Sequence, residues 1–203
     1  MDDRVVIALF RHGLTEENKR KAYLGWNDSP LCPESHNLAT TRTYDCYFSS
    51  DLNRCIRTAD ILFPNEDLFL LKNLREMDFG KWEGKTYEEL KTQKHYRLWI
   101  EDPFTITPPD GESFQQFSKR VQNGWSGVIQ EILTKNFQRC AVITHGGVIK
   151  HLLEKFAPEQ KGFWSWKVPH GYGIELIFER EALRRRERCI LLQEVPLTGK
   201  EHG

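Results

Sequence analysis

Two stretches of this sequence place a histidine where an apolar run stops. Val5 to Phe10 is apolar throughout and is followed by Arg11-His12-Gly13, and Ala141-Val142-Ile143 passes through Thr144 into His145-Gly146-Gly147. A second arginine, Arg54, stands near the start of a helical pattern after Phe48-Ser49-Ser50, and a carboxylate, Glu76, follows Leu74-Arg75. An imidazole near neutral pH can act as a nucleophile or proton carrier. An arginine fork can hold an oxyanion through two parallel N–H bonds, and a carboxylate can deliver or take a proton. A lone histidine beside a lone arginine is more often an ordinary strand exit. The chemical reading therefore depends on whether the fold brings these four stretches to one edge.

The pattern of elements predicts that it does. Val5 to Phe10 reads as a strand buried on both faces, and Ala141 to Thr144 as a second. Tyr44 to Ser49 and Phe69 to Leu71 are shorter strand candidates. Leu52, Ile56, Ala59 and Leu62 share one face of a helix that ends before Pro64. Thr86 with Glu89, and Ser113 with Gln116, have capping-box spacing and each opens a helix. The second of these is long, with Phe114, Phe117, Val121, Trp125, Val128 and Ile132 at helical spacing. Gly146 to Phe156 is another helix. Ile174, Leu176 and Phe178 alternate with polar residues, and Cys189 to Leu192 is apolar. These predict an antiparallel hairpin at a sheet edge, with Arg184-Arg185-Arg186 in a solvated turn. Strands alternating with helices predict an α/β fold, a three-layer α/β/α sandwich with a mostly parallel central sheet. Ligands of such sheets bind beyond the carboxyl ends of the strands. Residues 1–203 read as a single domain. The aromatic-rich stretch at about 80–125, densest between Tyr87 and Pro109, reads as a small helical insertion over the active-site edge.

Composition narrows the class. The 203 residues carry 29 Lys+Arg against 29 Asp+Glu, so bulk charge offers nothing to nucleic acid or a membrane surface. The longest apolar run is far short of a membrane span, and MDDRVV lacks the layout of a secretory signal, which predicts a cytoplasmic protein. The five cysteines, Cys32, Cys46, Cys55, Cys140 and Cys189, are scattered with no CxxC pair. They read as reduced core thiols, and neither a disulfide framework nor a zinc site is expected.

The segments LFRHGLTEEN, GWNDSPL, YFSSDLNRCIRTADIL, LREMDFGKWEG, PPDGESFQQFSKRV and AVITHGGVIKHLL together resemble the histidine phosphatase superfamily, in its phosphoglycerate mutase-like branch. They span nearly the whole chain in the family's order, and the REMDFGKWEG…PPDGES arrangement is most similar to small bacterial alpha-ribazole phosphatases and their broad-specificity relatives. The resemblance implies that His12 is a phosphoryl-accepting nucleophile, with flanking cations keeping it unprotonated. Arg11, Arg54 and His145 would bind the phosphoryl oxygens, Glu76 would be general acid and then base, and no metal or cofactor is implied. Asn18 matches the family's phosphate-binding asparagine, and the backbone of Gly25 and Gly146 would complete the phosphate cradle. His170 sits where a family loop reaches toward the pocket. Trp82, Tyr96, Trp99 and Phe104 fit either a substrate wall or core packing. Arg57 reads as a surface residue and His151 as a packing or surface histidine, while His36, His95 and His202 have no supporting context.

The sequence departs from the family pattern at Leu14, Glu17 and Leu24, the last removing one side-chain phosphate donor. The stretch after Leu31 is too short for the family's usual helix and predicts a thinly covered flank. The implied activity is hydrolysis of a small phosphomonoester through a phosphohistidine, with a cofactor-dependent phosphoglycerate mutase as the alternative. The small polar tail PLTGKEHG favours hydrolysis. Alpha-ribazole 5′-phosphate, a sugar phosphate, 3-phosphoglycerate or a loose range of monoesters all fit these residues. Oligomeric state is left open, a homodimer included.

Overall fold

The computed structural model describes residues 3–199, so His202 and the end of the polar tail lie outside the described residues. Strand β1 (Arg4–Arg11) pairs parallel with β5 (Arg139–Thr144), with Arg11 opposite Thr144. The two histidine-bearing strand ends therefore leave the sheet side by side. β5 pairs parallel with β3 (Cys46–Ser49), and β3 with β4 (Leu68–Leu70). On the other side of β1, β6 (Gly173–Glu179) runs antiparallel, and β7 (Leu191–Val195) pairs antiparallel with β6. The order is β4-β3-β5-β1-β6-β7, a mostly parallel sheet closed at one edge by a hairpin. A separate two-stranded ribbon joins β2 (Leu38–Ala39) to β8 (Thr198–Gly199).

The alternation of side chains along the central strands assigns the layers. Val5, Ile7 and Leu9 of β1, with Cys140 and Val142 of β5, pack into the larger core. There they meet Val121, Trp125, Val128 and Ile132 of α5 (Phe114–Lys135) and Val148, Ile149 and Leu152 of α6 (Gly146–Phe156). Ala8 and Phe10, with Ala141 and Ile143, face the opposite layer, where α2 (Asn53–Leu62) contributes Cys55, Ala59 and Leu62. A strand covered on both faces loses the polar half of the usual alternation, which is why β1 and β5 read as continuous apolar runs. Each fully buried aliphatic side chain contributes about 1.5–3 kcal/mol, so the sheet is anchored from both sides. The α2 layer is the thinner one. Where a longer helix was not expected, the chain makes only a 3-10 turn at Pro33–Asn37.

Local signals set the helix starts. Ser113 and Gln116 form the capping box of α5, and Asn136 ends it in the left-handed conformation at φ 57. The Thr86–Glu89 box opens only a short helix, α3 (Tyr87–Leu90), which is followed by α4 (Lys94–Glu101). Within the 80–125 stretch, Trp82, Leu90, Tyr96 and Trp99 close on a cluster of their own, whereas Phe117, Val121 and Trp125 belong to the larger core. A short α1 (Glu16–Lys19) follows β1. The hairpin connection is more than a turn. It holds α7 (Arg180–Arg184), with Arg184 paired to Glu181, before Arg186 turns the chain at φ 58. All five cysteines are free and buried. No helix among the described residues is long and apolar enough to cross a membrane.

Candidate active site

His12 leaves β1 with its backbone N–H bonded to the Thr144 carbonyl at 3.0 Å, which fixes the chain beside the end of β5. Its ring is almost fully buried, and Nδ1 lies 2.8 Å from the Gly13 carbonyl. A carbonyl can only accept, so Nδ1 carries the proton and Nε2 keeps its lone pair. Burial, then the charges of Arg54 and Arg11, hold the His12 pKa well below the ordinary histidine value. The imidazole is therefore neutral near pH 7, as a nitrogen nucleophile must be. The His145 ring stands edge-on 5.2 Å away, centroid to centroid, and His170 lies at 5.5 Å on another side.

Each cation is held by carbonyl groups. Arg54, 1% exposed, donates 2.8 Å to the Asn27 carbonyl and 2.6 Å to the Gly25 carbonyl. Asp28 accepts the backbone N–H of Asn53 at 2.6 Å and of Arg54 at 3.3 Å, supplying the cap that Leu52 at the start of α2 cannot. The Gly25–Asn27 loop is pinned in turn by Glu83, which accepts from the N–H groups of Trp26 and Asn27. Arg11 donates to the Val168 carbonyl and, at 2.8 Å, to His170 Nε2. Arginine only donates, so His170 accepts through Nε2 and is neutral. Burial and the Arg11 charge push its pKa down to about 3. The Nε atoms of Arg11 and Arg54 are both buried without a partner, leaving donor capacity unspent beside His12.

His145, fully buried, begins α6, and its Nε2 is 2.9 Å from Ser50 Oγ. Burial and the Arg54 charge hold its pKa well below the usual range. Helix α6 is capped from across the site, where Glu76 Oε2 accepts the Gly147 N–H at 2.8 Å while Oε1 accepts the Met77 N–H at 2.9 Å. The two glycines are required by close approach. A Cβ on Gly147 would sit 2.2 Å from Glu76 Oε1, and one on Gly146 would sit 3.0 Å from Arg11 Cζ.

Arg11, His12, Arg54, Glu76 and His145 thus come together at the carboxyl edge of the sheet, with Gly146 under Arg11 and Gly25 behind Arg54. Gly25 enters through its carbonyl, as a support for Arg54. Asn18 is bonded to Thr15 in α1 and is not brought into hydrogen-bond contact with these groups. His170 joins the site through Arg11. Arg57 is exposed beside Asp60. His151 is a buried packing residue whose Nε2 is 3.2 Å from Ser118 Oγ.

A second set of residues has no counterpart among the expected site residues. Arg120 on α5 makes two bonds to Glu112, at 3.0 and 2.6 Å, and donates to the carbonyls of Asn73, Arg75 and Glu76. Trp26 donates to the same Glu76 carbonyl at 3.0 Å, with Arg75 and Arg120 near its ring face. The loop carrying Glu76 is clamped from both sides. The signal lay in the PPDGES segment and the arginine eight residues after its glutamate.

Beside Glu76 and Arg11 opens a cavity of about 400 Å³ walled by Tyr23, Phe79, Trp99, Phe114, Phe163 and Trp164, with Lys150 at its side. Of the four aromatics expected either as wall or as core, Trp99 lines this cavity. Trp82 and Tyr96 are buried beneath it, and Phe104 packs its edge on Phe114.

Comparison with known proteins gives a family model and several relatives. Residues 7–184 match the family model described as Histidine phosphatase superfamily (branch 1). The adenosylcobalamin/alpha-ribazole phosphatase of Escherichia coli K12 is 28% identical over 175 residues, covering 80% of this chain and 85% of that protein. A 2,3-bisphosphoglycerate-dependent phosphoglycerate mutase of Methylocella silvestris is 32% identical over 179 residues, covering 77% and 84%. The solved alpha-ribazole phosphatase of Shigella flexneri superposes with a TM-score of 0.77 at 22% identity, over 97% of this chain and 96% of that one.

Proposed function

The chain belongs to the histidine phosphatase superfamily and is a phosphatase, and from that premise we propose that it hydrolyses a small phosphomonoester through a phosphohistidine on His12. The observation that carries this reading is the His12 tautomer. With Nδ1–H tied to the Gly13 carbonyl, the Nε2 lone pair is available between two arginines that still have unspent N–H donors. In the first step Nε2 attacks phosphorus and the ester P–O bond breaks. Arg11 and Arg54 take up the charge spread over the equatorial oxygens. Glu76 in its acid form gives its proton to the departing alkoxide. In the second step Glu76, now a carboxylate, removes a proton from the attacking water, the P–N bond breaks, and phosphate leaves with His12 neutral again. No metal is assigned a part. The whole chain is read as one domain, with the helical insertion at about 80–125 acting as a cap, its Trp82 and Trp99 cluster beside the leaving group.

The aromatic cavity adjoins Glu76, on the leaving-group side. It favours an ester whose alcohol carries a flat, largely apolar group, a class to which alpha-ribazole 5′-phosphate belongs. A phosphoglycerate carries no ring and would leave these walls unfilled, which supports hydrolysis over the mutase reading. The test is phosphate release from a panel of aryl and alkyl monoesters by the wild type and His12→Ala, with 2,3-bisphosphoglycerate-primed mutase activity run alongside. Loss of turnover in a folded His12→Ala, and a phosphorylated wild-type species trapped by rapid quench, are expected. Normal turnover by His12→Ala overturns the mechanism.

A further inference from the structure

Most cations around the site have an acceptor. Arg54 has Asp28 and two carbonyls, Arg75 has Asp51, Arg120 has Glu112, and Arg11 has Val168 and His170. Lys150 differs. It lies on α6, one turn beyond Gly146 and Gly147, and so on the same side of the helix as the residues that touch Arg11 and Glu76. Its side chain lines the aromatic cavity, with Nζ 5.1 Å from the Trp164 ring centre and 5.8 Å from that of Phe163. Among the described residues it makes no hydrogen bond or ion pair. The carboxylate in that cavity, Glu76, has both oxygens engaged by the N–H groups of Met77 and Gly147. Burial, then the charge of Arg11, disfavour the ammonium form, and the Glu76 carboxylate offsets them only in part. An ammonium drawn partly out of water, beside two aromatic rings and with no acceptor in direct contact among the described residues, is an incomplete arrangement. A bound anion would complete it.

We infer that Lys150 binds a second anionic group on the alcohol part of the substrate, so that the preferred ester is a flat aromatic phosphomonoester bearing a carboxylate or a second phosphate. This rests on the phosphomonoesterase reading and narrows it. The scissile phosphoryl group is served by Arg11 and Arg54, whose charges lie next to His12. Lys150 lines the same cavity as Arg11 and Glu76, beside the Phe163 and Trp164 rings of the wall that would hold the ring. A neutral ring fills the wall and leaves Lys150 unpaired. A ring with a carboxylate fills both.

The test compares 3- and 4-carboxyphenyl phosphate with their uncharged carboxamides, in the wild type, Lys150→Met and Lys150→Arg. The carboxylate esters are expected to have a KM about tenfold below the carboxamides in the wild type, the size of one partly desolvated ion pair. Lys150→Met should abolish the difference in KM, and Lys150→Arg should keep it. Equal KM values for the two ester types in the wild type overturn the inference, as does a preference that survives Lys150→Met. A KM raised equally for every ester by Lys150→Met also overturns it, because Lys150 would then serve the transferred phosphoryl group. Wild-type turnover of none of the esters removes the phosphomonoesterase reading itself, and this inference with it.

Discussion

Replacing Gly147 by alanine tests whether the placement of Glu76 governs its work as an acid. The added Cβ would fall 2.2 Å from Glu76 Oε1, 3.0 Å from Cδ and 3.2 Å from Oε2. A methyl group cannot share that space, so the carboxyl must retreat by about 1 Å, and a displacement of that size at a reacting group costs on the order of 10²-fold in rate. The Gly147 N–H also loses its charged acceptor, an interaction of about 1.5–3 kcal/mol. The helix itself should not suffer, because alanine is the better helix former at this position. Stopped assays with an alkyl phosphate, whose alkoxide needs a proton to leave, are expected to show kcat down about 100-fold. With 4-nitrophenyl phosphate, whose phenolate leaves unaided, the loss should be much smaller, and the melting temperature should fall by only a few degrees, because alanine's helix propensity offsets part of the lost interaction. Glu76→Gln should show the same leaving-group pattern, and the double variant should be little worse than either alone, because the two changes act through one carboxyl group. An alkyl-phosphate kcat within threefold of wild type, or fully additive losses in the double variant, would refute this account.

Three further outcomes follow from the same geometry. Because burial and two arginines hold the His12 pKa well below the ordinary histidine value, kcat/KM should stay level as pH falls through 6.5 and decline only at lower pH; a limb near 6.5 assigned to His12 contradicts the structure. His151 is buried with its pKa lowered to about 4 by burial, so the unfolded chain binds the proton more readily than the folded one between about pH 4 and 6.5. Stability from this group is complete above that window and is lost as pH falls through it, on the order of 3 kcal/mol; His151→Gln should flatten that part of a urea-denaturation pH series. Chelators should leave hydrolysis unchanged, and activity lost to EDTA and restored by a divalent cation would assign a part to a metal.

The sheet was legible because burial on both faces writes itself into β1 and β5 as unbroken apolar runs, and their histidine-bearing ends then had to fall at one edge. The capping boxes marked the starts of α3 and α5 for the same local reason. What the sequence could not display was support from a distance. Leu52 and His145 are poor helix caps, and the carboxylates that replace them, Asp28 and Glu76, come from loops more than twenty residues away. No local rule connects Asp28 to α2, or Glu112 and Arg120 to the carbonyl of Glu76. The charged hairpin connection hid α7, because a five-residue helix held by Arg–Glu pairs carries no apolar period. The aromatics divided by depth, and depth is a tertiary property. Trp82 and Trp99 look alike in sequence, yet only Trp99 reaches the cavity.

These distant supports explain how a site so rich in positive charge can stay ordered before a phosphate arrives. Two helix N-termini and the side chains of Arg11 and Arg54 converge on it, and unopposed they would repel one another in a poorly solvated space. Asp28 answers the start of α2 and Arg54 together, and Glu76 answers the start of α6. The two carboxylates have different freedom. Asp28 bonds four separate donors, the N–H groups of Ser29, Asn53 and Arg54 and the Arg54 guanidinium, and nothing in the reaction calls on it to move. Glu76 is bonded only through two backbone N–H groups that remain where they are whether its carboxyl holds a proton or not. It can therefore exchange a proton with the leaving group and then with water while its loop stays fixed by Trp26 and Arg120. The same side chain that steadies the empty site is placed to act on the occupied one, and the glycine at position 147 leaves room for both.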